Sequence, residues 1–232
     1  MKRRPSWEMW APVVYWGATY TLRALLTLLV RWRASGREFV PRSGAVIFVS
    51  NHLNNADPPI LGAGIARRRL RFMAKVELFK LPFGVIPRMY GAFPVRRFES
   101  DAGALLTAER LLKDGQAIGM FPEGTRSRTG RLGRAHPGTA VIALRTGAPV
   151  VPCAITGTQI LANPLRLILR PRFSVSIGEP LRFEARRRPA TNEIEAASER
   201  ILDSIQRLLP PEYLPTYTDQ YGTDGSAGQA GR

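Results

Sequence analysis

A histidine and an aspartate lie close together in a polar stretch that follows an apolar run. Residues 45–50 are apolar and β-branched, residues 51–57 are polar, and four residues separate His52 from Asp57. A carboxylate that accepts one imidazole N–H leaves the other ring nitrogen free to remove a proton from a hydroxyl group. The competing interpretation is a plain strand-to-helix turn in which Asp57 is the helix N-cap.

A second polar stretch, residues 121–128, also follows a predicted strand. Gly124 would let the backbone approach a ligand closely. Arg126 and Arg128 supply forked donors that suit phosphate, and Thr125 adds a hydroxyl group. These residue types favour a phosphate-binding loop, and the alternative is a solvated turn with a surface ion pair.

A third stretch, residues 91–97, begins with a glycine and ends with Arg96 and Arg97. It offers two further cations to an anionic ligand, or it is simply the basic exit of a strand. Taken in chain order with Val150, Val151 and Pro152, the three stretches resemble the sequence blocks of the lysophospholipid acyltransferases, in particular the bacterial 1-acylglycerol-3-phosphate acyltransferases. The resemblance extends over residues 43–157, about half of the chain.

The resemblance implies a role for individual residues. His52 corresponds to the general base and Asp57 to its partner, while Val151 and Pro152 belong to a structural or acyl-proximal strand. The residues that correspond to the set binding the acceptor's phosphate are Arg97, Glu123, Gly124, Thr125 and Arg126.

The reaction implied by the resemblance moves a fatty acyl group onto the sn-2 hydroxyl of lysophosphatidic acid, which gives phosphatidic acid. The donor is acyl-CoA or acyl carrier protein, which enters as a substrate, and no metal or bound cofactor is implied. Glycerol 3-phosphate and a lyso-aminolipid are alternative acceptors. A lipid-binding module without activity is a further alternative, which the intact His52 and Asp57 argue against. The single cysteine, Cys153, lies in an apolar run and is interpreted as a core residue.

Strand and helix patterns alternate along the chain, which predicts a layered α/β domain. The resemblance implies a glycerolphosphate-acyltransferase-like domain with a mixed, mostly parallel sheet. We expect residues 172–177 to form an edge strand, because apolar and polar residues alternate there. The expected divisions are N-terminal membrane-docking helices at 1–38, the acyltransferase domain at 39–212 and a disordered tail at 213–232.

The N-terminal stretch is rich in apolar and aromatic residues, among them Trp7, Trp10 and Trp16, with basic residues on both sides. Arg23 interrupts the apolar run, and tryptophan favours the membrane interface. We therefore interpret this stretch as an interfacial helix, or a bent pair of helices, in one leaflet. A spanning helix and an ordinary buried helix are the alternatives.

The chain carries 34 Lys and Arg against 18 Asp and Glu, a formal net charge of +16. Such a charge predicts an anionic partner, which is a membrane surface, a phosphorylated substrate or nucleic acid. The aromatic residues cluster in the N-terminal stretch and no nucleic-acid-binding motif is present, so we expect no nucleic acid partner. The predicted location is the cytoplasmic face of a bacterial cell membrane.

Overall fold

A seven-stranded sheet forms the centre of the protein. The computed structural model describes residues 7–79, 84, 87–88, 90–95 and 102–215. The strands are β1 (Arg31–Ser35), β2 (Val46–Ser50), β3 (Leu70–Lys75), β4 (Phe93–Val95), β5 (Ala117–Met120), β6 (Val150–Thr156) and β7 (Arg172–Ile177). Their order across the sheet is β1-β7-β6-β2-β5-β3-β4. All neighbours are parallel except β6 and β7, so the predicted mixed, mostly parallel sheet is confirmed.

Helices cover both faces of the sheet. They are α1 (Trp7–Leu29), α2 (Asp57–Ile65), α3 (Ala102–Lys113), α4 (Gly138–Thr146) and α5 (Thr191–Gln206). Short 3₁₀ helices lie at Arg37–Phe39, Val76–Phe79, Thr158–Ala162, Pro164–Leu169 and Pro211–Tyr213. Several residues that follow Val76–Phe79 lie outside the described part of the chain.

The central strand β2 is buried on both sides, which explains its continuous apolar sequence. Successive side chains point to opposite faces of a strand. Val46 and Phe48 accordingly pack in the core shared with α1 and α2, whereas Ile47 and Val49 pack in the core shared with α3, α4 and α5. The alternation gives the domain three layers, with the sheet in the middle.

The prediction that 172–177 is an edge strand is wrong. β7 lies inside the sheet, paired with β6 on one side and with β1 on the other. The edge strand on this side of the sheet is β1, whose sequence RWRAS lacks the β-branched residues on which we based strand assignments. Because β1 belongs to the sheet, the domain begins before residue 39, at a position that we had predicted to belong to the membrane-docking helices.

The C-terminal boundary also differs from the prediction. Tyr213, which we placed in the tail, is buried in the core, and its hydroxyl accepts a hydrogen bond from the Gly157 N–H at 3.0 Å. The predicted disorder from residue 216 onward falls outside the described residues.

The N-terminal stretch forms one continuous helix, α1, in place of a bent pair, although it contains Pro12. One side of α1 is anchored to the domain by Tyr15, which is fully buried and whose hydroxyl accepts the Leu70 N–H at 3.1 Å. Its outer side exposes Trp10, Val13 and Tyr20. In the part of the chain that the structure describes, we find no helix whose length and hydropathy would suffice to cross a membrane.

Two glycine substitutions should change stability in opposite directions. A Cβ at Gly119, in β5, would lie 2.2 Å from the buried Phe72 ring, so Gly119→Ala should lower the free energy of unfolding by about 1–3 kcal/mol. A Cβ at Gly17, in α1, would meet nothing within 4 Å. Gly17→Ala should therefore raise stability by about 0.5–1 kcal/mol, the usual gain within a helix. Urea denaturation of both variants tests the pair, and equal stability of the two would contradict this packing.

Candidate active site

The candidate site lies at the carboxyl ends of three neighbouring parallel strands. β2 lies between β5 and β6, with Val49 opposite Met120 and Ser50 opposite Cys153. The loops that leave these strands therefore emerge together at one edge of the sheet, where ligands bind in open α/β sheets. We refer to this end of the sheet, at the carboxyl ends of β2, β5 and β6, as the active-site edge, which differs from an edge strand.

His52 and Asp57 face each other in the loop after β2. Nδ1 of His52 lies 2.9 Å from Oδ2 of Asp57. The carboxylate can only accept, so Nδ1 carries the hydrogen and Nε2 is the nitrogen that can take a proton from a substrate. His52 is 5% exposed and Asp57 is fully buried. The predicted base and its predicted partner are thus brought together.

Four hydrogen bonds hold the Asp57 carboxylate in place. Besides His52, Oδ2 accepts the backbone N–H groups of Leu53 at 2.6 Å and Asn54 at 2.7 Å, and Oδ1 accepts the Thr158 hydroxyl at 2.6 Å. Asp57 is also the first residue of α2, where the helix dipole favours a negative charge. Its side chain bonds to the preceding loop, and the N-cap of α2 is Ala56. The alternative interpretation, in which Asp57 is the helix N-cap, is therefore wrong.

Glu123 supports the His52 loop through its hydrogen bonds. Its Oε1 accepts the His52 N–H at 2.8 Å, and its Oε2 accepts the Gly133 N–H at 2.9 Å. The side chain is buried. Glu123 therefore joins the His52 loop to the loop that contains Gly133.

The pKa of Glu123 is raised to about 7. Burial is the main cause, because it penalises the charged form, and the nearby Asp57 carboxylate adds to the increase. The N–H groups of Gly133 and His52 act in the opposite direction. Glu123 thus carries a proton more readily than an exposed glutamate.

An arginine-lined cavity of about 220 Å³ opens beside the loop after β2 and the loop after β5. Its lining residues are Glu123, Thr125, Arg126, Ser127, Arg128, Thr129, Arg131, Leu132, Gly133 and Arg134. Gly124 has a φ of 65°, a left-handed conformation that favours glycine. The Ser127 N–H donates to the His52 carbonyl at 2.7 Å, so the cavity loop and the histidine loop are joined directly.

Of the residues predicted to bind phosphate, Glu123, Thr125 and Arg126 line this cavity, and Gly124 shapes its loop. Arg97 falls outside the described residues. We did not predict Arg131 and Arg134, because they follow the block that carried the resemblance. Their position within three residues of one another, shortly after Arg126 and Arg128, was the signal that could have revealed them.

An aromatic stack supports the His52 ring. The Phe121 ring lies 4.2 Å from the His52 ring at an interplanar angle of 20°, and Phe72 stacks behind Phe121 at 6.2 Å. Thr158 is the other supporting residue that sequence reasoning missed. Its contact with Asp57 joins residues 101 positions apart, so no local pattern could reveal it.

The other predicted residues are located as follows. Cys153 is fully buried in β6 and its pKa is raised by burial, so the prediction that it is a core residue is confirmed. Among the predicted membrane contacts, Trp10 is exposed, and Trp16 is half-buried against Tyr15 and Tyr20. The Trp7 side chain is outside the described residues. Within the described residues, no group of three or more His, Cys, Asp or Glu side chains could hold a metal ion.

A histidine paired with a buried carboxylate, beside an arginine-lined cavity, can activate a hydroxyl group of an anionic substrate. The model of the acyltransferase family matches residues 31–156, more than half of the chain, and the chain belongs to this family.

Relatives that are named for an enzymatic activity match most of the chain. A 1-acyl-sn-glycerol-3-phosphate acyltransferase of Bacillus subtilis is 30% identical over 190 residues, which cover 81% of this chain and 92% of that protein. The enzyme of the same name from Streptococcus pneumoniae is 29% identical, over 82% of this chain and 72% of that protein. The crystal structure of the 1-acyl-sn-glycerophosphate acyltransferase from Thermotoga maritima has a TM-score of 0.67 and 28% identity, covering 90% of this chain and 83% of that one.

The raised pKa of Glu123 predicts a pH-dependent stability. Its folded pKa of about 7 lies above the ordinary value of 4.5, so the folded state binds a proton that the unfolded state has released. The resulting advantage is full below the unfolded pKa and is lost as the pH rises through 7, a change of about 3 kcal/mol.

Glutamine cannot ionise, so the Glu123→Gln variant should lack this pH-dependent part of the free energy of unfolding. An altered hydrogen bond would change its stability by the same amount at every pH. As the pH rises from about 5 to about 8, the wild-type protein should lose stability relative to the Glu123→Gln variant. Chemical denaturation of both proteins across this range is the measurement. Parallel stability curves would show that Glu123 does not titrate as described.

Proposed function

We propose that the protein transfers a fatty acyl group from acyl-CoA or acyl carrier protein to the sn-2 hydroxyl of lysophosphatidic acid, which gives phosphatidic acid. The observation that carries the proposal is the direct link between the two loops, in which Ser127 of the arginine-lined cavity bonds to His52, the base. In lysophosphatidic acid, three bonds separate the phosphate ester oxygen from the sn-2 hydroxyl oxygen, so a phosphate in the cavity keeps that hydroxyl group nearby. The activity for which the bacterial relatives are named supports the same reaction.

In the proposed mechanism, Nε2 of His52 removes the proton from the acceptor hydroxyl while its oxygen attacks the thioester carbonyl. A carbon–oxygen bond forms, and the carbonyl electrons move onto oxygen in a tetrahedral intermediate. Collapse of this intermediate breaks the carbon–sulfur bond, and the departing thiolate takes the proton from His52. Asp57, which is bonded to Nδ1, stabilises the imidazolium between these steps. Neither a cysteine nor a serine nucleophile takes part.

The arginines determine which acceptor is used. Arg126, Arg128 and Arg134 are exposed around the cavity and would pair with the phosphate oxygens. Arg97 remains part of the proposed set. Holding the phosphate fixes the hydroxyl near His52 and lowers the entropic cost of the reaction. This requirement favours lysophosphatidic acid or glycerol 3-phosphate over a lyso-aminolipid without a free phosphate.

The donor and the location are further parts of the proposal. No metal or cofactor is required, because both donors bring the activated thioester with them. The exposed side of α1, with Trp10, Val13 and Tyr20, would lie in one leaflet at the cytoplasmic face of a bacterial membrane. The net charge of +16 would strengthen binding to anionic lipids.

His52→Ala should reduce transfer by about 10²–10⁴-fold, the usual contribution of a general base. His136→Ala is the matched control, because His136 is exposed on the neighbouring loop and should be dispensable. The assay uses purified protein with lysophosphatidic acid, glycerol 3-phosphate and a lyso-aminolipid, each with both donors. Near-normal turnover by His52→Ala, or equal use of all three acceptors, would overturn the proposal.

Arg126→Ala should raise the KM for lysophosphatidic acid by about tenfold or more, since it removes charge-assisted hydrogen bonds to the phosphate. The KM for the donor should change little. Arg42→Ala removes the same charge from an exposed position before β2, at the opposite edge of the sheet, and controls for the net charge. A larger effect on the donor than on the acceptor would assign Arg126 to donor binding instead.

A further inference from the structure

The connection between β6 and β7 displays three large apolar side chains to solvent. Leu165, Ile168 and Leu169 are 83%, 87% and 71% exposed, and we call these three residues the apolar tip. A soluble protein seldom groups exposed aliphatic side chains in this way, and such groups usually mark a contact surface. The proposed acyl transfer does not involve the side chains of the apolar tip.

The connection is a built structure that holds the apolar tip outward. A 3₁₀ helix has three residues per turn, so Leu165 and Ile168 share one side and Leu167 faces another. Leu167 and Leu161 pack against the core on the α2 side of the sheet. The Asn163 side chain accepts the Leu165 N–H at 3.3 Å and caps the 3₁₀ helix Pro164–Leu169.

The apolar tip lies at the active-site edge. It follows the carboxyl end of β6, which is parallel to β2, and His52 follows the carboxyl end of β2. Thr158, at the start of the same connection, bonds to the buried Asp57. The apolar tip and the catalytic pair are therefore parts of one loop cluster.

The end of α1 reaches the same edge. β7 starts at this edge because it is antiparallel to β6, and β1 starts there because it is parallel to β7. The Arg31 N–H donates to the Pro171 carbonyl at 2.8 Å, directly after the apolar tip. Leu25, Leu28 and Leu29 at the end of α1 are exposed as well, so they extend the apolar surface beyond the connection.

The charges around the apolar tip identify its partner. Arg166, Arg170 and Arg172 are all exposed, and the sequence contains no acidic residue between Glu123 and Glu179. Aliphatic side chains surrounded by arginines suit an anionic bilayer, in which the aliphatic groups enter the acyl region and the guanidinium groups bind the headgroup phosphates.

We propose that the apolar tip is a second membrane anchor, which inserts into an anionic leaflet together with the end of α1 and places the active-site edge against the lipid surface. The proposal rests on the proposed function for the need to reach an acceptor held in a bilayer. It adds a contact remote in sequence from the N-terminal tryptophans, and it fixes how the domain is oriented.

The lone cysteine makes a direct test possible. Cys153 is fully buried, so a cysteine introduced by Ile168→Cys can be labelled selectively with an environment-sensitive fluorophore. Adding phosphatidylglycerol vesicles should shift the emission to the blue, and lipids with a quencher in the acyl chain should reduce it. Ser43→Cys is the control, because Ser43 is exposed before β2 at the opposite edge. Equal responses at both positions, or no response at position 168, would overturn the proposal.

A functional test separates this proposal from the catalytic one. Replacing Leu165, Ile168 and Leu169 together by serine should weaken vesicle binding by about tenfold or more. Transfer to acceptor embedded in vesicles should fall, while transfer to a short-chain lysophosphatidic acid that dissolves as monomers should persist. Unchanged vesicle binding would overturn the anchor, whereas wild-type protein that fails with the monomeric acceptor would instead overturn the proposed function.

A second copy of the chain is the alternative occupant of the apolar tip. In that case the label at position 168 would shift as the protein concentration rises without vesicles, and the triple serine variant would change the mass measured by light scattering. Either result would overturn the membrane proposal. A monomer of unchanged mass, whose label responds to vesicles alone, would support it.

Discussion

Three consecutive backbone N–H groups, those of His52, Leu53 and Asn54, are all accepted by two buried carboxylates, and the rest of the site depends on this arrangement. Glu123 accepts the first, and Asp57 accepts the other two. Asp57 also holds the His52 ring and the Thr158 hydroxyl, while Glu123 also holds the loop at Gly133. Loops from three strands are therefore tied to the same two side chains, and the base has little freedom to move.

Burying two carboxylates so close together has a cost, and the structure distributes it unequally. Asp57 receives four hydrogen bonds and lies at the start of α2, so its charge is compensated where it is formed. Glu123 receives two, and its pKa is raised instead, mainly by burial. The residue that must stay charged for catalysis is the better compensated one.

The polar stretches of the catalytic pair and of the cavity loop could be located from the sequence, because each follows an apolar run. Their roles and the mostly parallel sheet were implied by the resemblance to a known family. The sequence did not allow the supports to be predicted. Thr158 acts on Asp57 across 101 positions, and β1 lacks a strand-like composition and becomes a strand only because β7 offers it a ladder. The supporting role of Glu123 was missed for the same reason. Its carboxylate accepts the N–H of His52, which lies 71 positions away in the sequence.

The pairing of β1 with β7 has a consequence for the order of events during synthesis. Arg31 pairs with Arg172, so β1 has no partner until most of the chain has left the ribosome. At about 5–20 residues per second, this interval is on the order of ten seconds. Throughout it, β1 and the end of α1 that precedes it have no β7 to hold them to the sheet. A nearby bilayer would shelter α1 during the delay, and the nascent chain would then meet its membrane before its catalytic domain is complete.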